Sequence, residues 1–288
     1  MSATIIDGKK IAAEIRSTLH MDTQKLLQNG IQPRLDVILV GDHAPSQIYV
    51  KYKVRAAEAI GIVVHVHRFP NDVNADVLRE QVDFLNHNEA THGILIQLPL
   101  PAHIGADDTW NIVEHVHPDK DVDGLHPGNL GRIAQKSEGF VACTPQGCLH
   151  LLQTVTDISG KHAVVVGRSR IVGKPMAALL TAHHATVTLC HSRTQNLPQH
   201  IAQADIVIAA AGVERFIKGA WIKAGAIVID VGIHRRDDGS LCGDVEFESA
   251  VQKAGAITPV PGGVGPMTIA SLMKNVYLSA QRQLYTVS

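Results

Sequence analysis

Ala163-Val164-Val165-Val166-Gly167-Arg168-Ser169-Arg170-Ile171-Val172-Gly173-Lys174-Pro175 is the stretch that decides the fold. An apolar, β-branched run drops into a glycine-bearing turn and then into helix-forming residues. That is the strand–turn–helix context in which a pyrophosphate sits on backbone N–H groups at a helix N-terminus. The spacing is G-x-S-x-x-x-G rather than G-x-G-x-x-G, so the surrounding sequence has to carry part of the argument. About twenty residues on, NAD-binding folds place an acid for the ribose 2′-hydroxyl. Here that place holds Cys190-His191-Ser192-Arg193, with no carboxylate. Arg168 and Arg193 are placed to meet a 2′-phosphate, which reads as NADP.

Outward from this turn, strands and helices alternate. Upstream, helical spacing over residues 11–27 ends at Asn29-Gly30, and residues 35–41 read as a buried strand. Ser46 is expected to cap a helix running through Tyr49, Lys53 and Ala57 to Ile60-Gly61. A strand over 62–68, a helix over 75–87 and a strand over 93–98 complete a βαβ series. After a polar passage at 118–138, a helix is expected over 146–155, then the strand at Ala163 and a helix over 175–183. Further strands are expected at 186–190, 205–210, 226–231 and 256–259, a Rossmann-type array. The last helix, 268–284, is amphipathic and is expected to pack back on the first domain. The fold class that follows is two α/β domains with parallel sheets, the second a Rossmann-type NADP-binding domain, with a cleft between them. The domains are 1–140, completed by 268–288, and 141–267.

Composition fits this architecture. The chain has 288 residues, 45% hydrophobic and 18% charged, which describes a globular protein with a substantial core. A net charge of −1 without a long basic run argues against nucleic acid as the partner. The first residues carry no apolar signal segment and no stretch reaches membrane-spanning length, so a cytoplasmic protein is expected. The four cysteines show no zinc spacing and read as free thiols. Among the 17 histidines, His65/His67 and His115/His117 have i, i+2 spacing, but neither pair has a third ligand at a recognisable distance. No metal is expected.

Four loops at the carboxyl ends of strands carry the chemistry-bearing side chains. In the first, Tyr49 and Lys53 stand four apart and share a helix face. The second is Gln97-Leu98-Pro99-Leu100-Pro101, a polar amide ending an apolar strand. The third is Lys120-Asp121-Val122-Asp123-Gly124-Leu125. The fourth is Thr258-Pro259-Val260-Pro261-Gly262-Gly263-Val264-Gly265-Pro266-Met267-Thr268. By themselves these also admit plainer readings: a solvated lysine, a packing tyrosine, an Asp-x-Asp-Gly turn and a rigid proline–glycine loop.

With the 165–172 string, these segments make the chain closely resemble the bifunctional methylenetetrahydrofolate dehydrogenase/methenyltetrahydrofolate cyclohydrolase family over essentially its whole length. The resemblance implies oxidation of 5,10-methylenetetrahydrofolate with NADP, then hydrolysis of the methenyl product to 10-formyltetrahydrofolate, by a homodimer that binds tetrahydrofolate derivatives. It makes Lys53 the central catalytic residue, with Tyr49, Gln97 and Asp123 in the catalytic set. Asp123 would anchor the pterin, since a carboxylate accepts two parallel hydrogen bonds from a 2-aminopyrimidine edge. Leu98, Pro261 and Gly262 would line the folate site. Gly167, Arg168, Ser169 and Ile171 would follow the dinucleotide, Ser192 and Arg193 would meet the 2′-phosphate, and Gly212 and Ile233 would bracket the nicotinamide.

Two other readings stay open on sequence. One is another NADP-dependent dehydrogenase of two-domain plan, related to shikimate or amino-acid dehydrogenases, which would lack the Tyr49/Lys53 helix together with the Gln97 and Asp123 loops. The other is a catalytically silent folate- or nucleotide-binding protein, which would be free to lose Lys53.

Overall fold

The computed structural model describes residues 2–286, with side chains described to residue 282. Met1, Val287 and Ser288, which the domain boundaries above include, lie outside the described residues. In chain order the strands are β1 (Thr4–Ile5), β2 (Arg34–Val40), β3 (Val63–Phe69), β4 (Gly93–Ile96), β5 (His162–Val166), β6 (Thr186–Cys190), β7 (Ile206–Ala209), β8 (Ile227–Asp230), β9 (His234–Arg235), β10 (Leu241–Cys242) and β11 (Ala256–Ile257). The helices are α1 (Gly8–Gln28), α2 (Ala44–Glu58), α3 (Ala75–His87), α4 (Gly105–Glu114), α5 (Pro127–Ala134), α6 (Cys143–Gln153), α7 (Gly173–Ala182), α8 (Leu197–Gln203), α9 (Phe247–Ala250) and α10 (Val264–Thr286). They fold into two compact units.

One unit comprises residues 14–131, 138–141 and the chain from Leu272 onward. Its sheet is parallel, in the order β3-β2-β4. The central strand β2 is buried on both faces beyond its first residue, which is why residues 35–40 read as one apolar run broken only by Asp36. Asp36 is fully buried and accepts from Arg34 Nε (2.8 Å) and Nη2 (2.7 Å), His67 Nε2 (2.8 Å) and Thr91 Oγ1 (2.9 Å). Burial alone would raise its pKa, but the bonds from Arg34, His67 and Thr91 outweigh that and hold it below the usual carboxylate range. His67 is thus taken up by a structural network, and His115 by Asp83 at 2.7 Å. Within this unit α10 is tied down through Asn275 Nδ2, which donates to Val122 O (2.9 Å) and Val141 O (3.0 Å). Ser279 Oγ adds a bond to His92 O (2.6 Å).

The other unit comprises the chain up to Ala13 and residues 132–137 and 142–271. Its main sheet has six parallel strands in the order β1-β11-β8-β7-β5-β6, and β9 and β10 form a separate antiparallel pair. From β5 the chain steps to β6 on one side, then to β7 on the other. The crevice outside the carboxyl ends of strands at such a reversal is where open α/β sheets hold ligands. The Rossmann-type array expected after residue 141 is therefore present.

Three local expectations need correction. β1, placed by sequence in the first domain, pairs with β11 (Thr4↔Ala256, Ile5↔Ile257); a two-residue strand carries no periodic signal. Ser46 is not the cap of α2. The helix begins at Ala44 because Pro45, at one of the first two helical positions, already has a helical φ. Ser46 is buried within the first turn, with Oγ 2.9 Å from His43 Nδ1. The last helix starts at Val264, not Thr268, because Pro266 falls in the first turn, where a missing N–H leaves no bond broken.

Candidate active site

In the three-stranded unit, the site is built on α2 and the end of β4. Lys53 lies on α2 and is part-buried. Gln97, the first residue beyond β4, is 9% exposed and fixed by its own backbone N–H, which donates to Ile38 O at 2.9 Å. Its amide Nε2 donates to Leu98 O at 2.7 Å, which orients Oε1 as an acceptor. Lys53 Nζ donates to that Oε1 at 3.0 Å. A lysine bonded to an uncharged amide is an amine held in place without a counter-ion. Tyr49, one helical turn before Lys53, is 42% exposed, and its hydroxyl has no partner among the described residues. Leu98 precedes Pro99 through a cis peptide bond.

Asp123 owes its presentation to Asp121. The backbone at Asp121 continues alongside β4 through a parallel bridge to Ile94. The Asp121 carboxylate is 3% exposed and accepts from Gly124 N (3.1 Å), Leu125 N (3.1 Å), His126 N (2.8 Å) and Asn129 Nδ2 (2.9 Å). Burial pushes its pKa up to about 6, against those bonds, and the neighbouring Asp123 charge adds to the rise. The chain therefore folds tightly around Asp121 and turns Asp123 out. Asp123 is part-exposed, and its carboxylate has no hydrogen bond or ion pair among the described residues. Sequence reasoning weighed Asp121 only as a turn residue and missed it as the anchor, because the Asp-x-Asp-Gly string marks a turn without telling which acid is buried.

In the six-stranded unit, Gly167 follows β5 with φ +126°, and a Cβ there would run into the Ala210 carbonyl oxygen. Only glycine lets the turn after β5 come this close to the segment after β7. The same turn exposes Arg168, Ser169 and Ile171. Ser169 does more than line the turn. Its Oγ accepts from Val172 N (3.1 Å) and Gly173 N (3.3 Å), satisfying two donors at the start of α7. That leaves the hydroxyl proton of Ser169 to donate outward. Ser192 and Arg193 are exposed in the turn after β6, which Thr194 closes by accepting His191 N at 2.8 Å. Because Val166 pairs with Cys190, Arg168 and Ser192–Arg193 lie beyond the ends of adjacent strands. This surface suits a phosphorylated dinucleotide: backbone free of side-chain obstruction, an outward hydroxyl, two exposed guanidinium groups and no acid at the end of β6.

Gly212 and Ile233 lie beyond the ends of β7 and β8. Their surroundings contain two buried acids that sequence reasoning missed, Asp230 and Asp244. Pro261, reached through a cis peptide bond, and Gly262 belong to the loop before α10, where Gly262 O accepts from Lys9 N at 2.9 Å. Of the site residues expected from sequence, Tyr49, Lys53, Gln97, Leu98 and Asp123 belong to the three-stranded unit. The remaining ten belong to the six-stranded one.

Comparison with known proteins gives the family. The tetrahydrofolate dehydrogenase/cyclohydrolase catalytic-domain model matches residues 6–123, and the NAD(P)-binding-domain model of the same family matches residues 142–284. "Bifunctional protein FolD" of Moorella thermoacetica is 52% identical over 98% of this chain and 100% of its own length. The crystal structure of the bifunctional enzyme FolD, a methylenetetrahydrofolate dehydrogenase/cyclohydrolase from Campylobacter jejuni, superposes with a TM-score of 0.95 at 45% identity, covering 98% of this chain and 100% of that one. The Trypanosoma brucei methylenetetrahydrofolate dehydrogenase-cyclohydrolase, solved with NADP and an inhibitor, gives 0.92 at 38% identity, covering 99% of each chain. The chain belongs to the tetrahydrofolate dehydrogenase/cyclohydrolase family.

Proposed function

We infer that this chain is a bifunctional folate enzyme. It oxidises 5,10-methylenetetrahydrofolate to the 5,10-methenyl cation with NADP and hydrolyses that cation to 10-formyltetrahydrofolate. The observation that carries the reading is the Lys53–Gln97 hydrogen bond of 3.0 Å at the end of β4, an amine held beside a neutral amide. Folate binds on the three-stranded unit and NADP on the six-stranded one.

NADP supplies the hydride acceptor for the first step. The chain's task there is to hold its ligands in reacting geometry. Arg168, Ser192 and Arg193 take the 2′-phosphate, Gly167, Ser169 and Ile171 follow the pyrophosphate side, and Gly212 and Ile233 bracket the ring. Asp123 accepts from the 2-aminopyrimidine edge of the pterin, with Leu98 as lining on the same unit.

In the second step water adds to the methenyl carbon. Lys53 Nζ takes one water proton as the C–O bond forms. The other proton moves to the departing ring nitrogen as the C–N bond breaks and the formyl C=O forms. Nζ then releases its proton to solvent, so one proton is produced per turnover. Gln97 orients the amine through its Oε1, which accepts from Nζ at 3.0 Å. Tyr49, one turn away on the same helix face, directs its hydroxyl toward the substrate.

We further propose that the enzyme works as a homodimer in the cytoplasm, with neither nucleic acid nor membrane as partner. In support, no helix among the described residues is long and apolar enough to cross a membrane, and the net charge is −1.

The test is a pair of assays on the purified chain. Methylenetetrahydrofolate oxidation is followed with NADP and with NAD, and methenyl hydrolysis is followed above the buffer rate. Both activities are expected, with NADP preferred. Nucleotide binding without either reaction would instead support the silent-protein reading.

A further inference from the structure

Two buried carboxylates in the six-stranded unit have no part in the reaction scheme above. Asp230 ends β8 and is 3% exposed; Asp244 is fully buried. Asp230 Oδ1 accepts from Gly232 N (3.0 Å) and Asp244 N (2.9 Å), and its Oδ2 accepts from Val245 N (2.9 Å). Gly243 packs so closely on the Asp230 carboxylate that a Cβ there would overlap its oxygens. Asp230 thereby fixes the backbone that delivers Asp244. Asp244 in turn spends both oxygens on other segments. Oδ2 accepts from Gly212 N at 2.8 Å, in the turn after β7, and Oδ1 pairs with His234 Nε2 at 2.7 Å, at the start of β9. Ile233 is therefore pinned on both sides, through Gly232 to Asp230 and through His234 to Asp244. Its own side chain stands 46% exposed.

We propose that Asp244 is a positioning residue for the nicotinamide end of the cofactor site: one carboxylate sets the spacing between the Gly212 turn and the Ile233 segment. This rests on the reading above, in which those two residues bracket the ring. The geometry supplies its own argument, since both segments lie beyond the carboxyl ends of neighbouring strands in the sheet that reverses direction at β5. Val231 N donating to Ala209 O (2.8 Å) and Arg236 Nε donating to Glu214 Oε1 (3.0 Å) also join the two segments, and the Asp244 bridge fixes the spacing at Gly212 and Ile233 themselves. Without that bridge the Gly212 turn loses its tether, and each binding event has to order it again.

The test compares Asp244→Ala and Asp244→Asn with the parent in both activities, and measures NADP binding directly by calorimetry. Alanine removes both tethers. Asparagine can keep the Gly212 N–H on its oxygen and turn its NH2 to His234, whose ring nitrogen accepts in the alternative tautomer. Asp244→Ala is expected to weaken NADP binding about tenfold to a hundredfold, the range for leaving one or two buried donors unpaired. Methenyl hydrolysis, which uses no nucleotide, is expected to stay within about twofold, a change too small to signal a lost interaction. Asparagine is expected to restore most of the NADP affinity. An equal fall in both activities would assign Asp244 a merely structural role and overturn the proposal, and so would unchanged NADP binding. If Asp244→Ala does not fold, His234→Ala decides: it removes one tether at a part-exposed position, and unchanged NADP binding there overturns the proposal. Calorimetry also separates this claim from the catalytic one, because a parent that binds NADP but oxidises no folate would fail only the latter.

Discussion

The Asp121–Asp123 loop and the Asp230–Asp244 loop use the same beginning to different ends. In each, a buried carboxylate gathers backbone N–H groups from the residues that follow, and burial raises each of those two acids to about 6. Around Asp121 the gathered chain turns the second acid, Asp123, outward with no partner among the described residues. Around Asp230 the second acid, Asp244, is drawn inward, and both its oxygens are occupied by Gly212 and His234. The ligands proposed for the two sites explain the difference. An aminopyrimidine edge offers donors and rewards a free carboxylate. An oxidised nicotinamide ring is cationic, and a free carboxylate beside it would favour the oxidised ground state over the transition state for hydride acceptance. One loop therefore presents charge, and the other presents backbone and Ile233.

The most severe way to break this comparison is Asp121→Ala. It strips an acceptor from four donors, and we expect a loss of at least about 3 kcal/mol in unfolding free energy, measured in urea. Stability unchanged in that variant would mean that Asp121 does not anchor its loop. Asp123→Ala sharpens the contrast. Losing a charge-assisted pair of bonds should raise the folate KM about a hundredfold, while the urea midpoint barely moves, as for most exposed positions. A stability loss matching that of Asp121→Ala would erase the division of labour within the pair.

The smallest effect is a pH slope. Asp121 and Asp230 have folded pKa values near 6 against an ordinary 3.8, so the folded chain keeps protons that the unfolded chain has released. Their contribution to stability is fully present below about pH 4 and is lost as pH rises to about 6. Asp230→Asn removes half of this pair, so its unfolding free energy should fall less steeply than the parent's across that window. Parallel slopes would show that Asp230 carries no burden of burial. Asp36, held below its ordinary value, acts in the opposite sense and only in more acid solution.

Much of this arrangement was legible in the sequence because it rests on local signals. Buried parallel strands such as β4 and β5 announce themselves as apolar runs, and the residues after them, Gln97 and Gly167, mark where chemistry collects. What escaped reading depends on tertiary partners. β1 is two residues long and exists only because β11 lies beside it. Ser46 looks like a cap, yet Pro45 starts the helix sooner. Asp121 and Asp123 are chemically identical in sequence, and only burial tells the anchor from the presented acid. Asp230 and Asp244 are fourteen residues apart, with a β-ribbon between them, so no spacing rule joins them. Ser169 was expected along the dinucleotide; that it also caps the start of α7 became visible only in the fold.

The central claim is that a lysine on α2, oriented by the amide that ends β4, carries the hydrolytic step. Lys53→Met tests it most directly, since methionine keeps the length and removes the amine. The account predicts that methenyl hydrolysis above the buffer rate falls by about a hundredfold to ten-thousandfold, the usual worth of a positioned proton acceptor, with NADP binding unchanged. Full hydrolysis by Lys53→Met would contradict it and remove Lys53 from the mechanism.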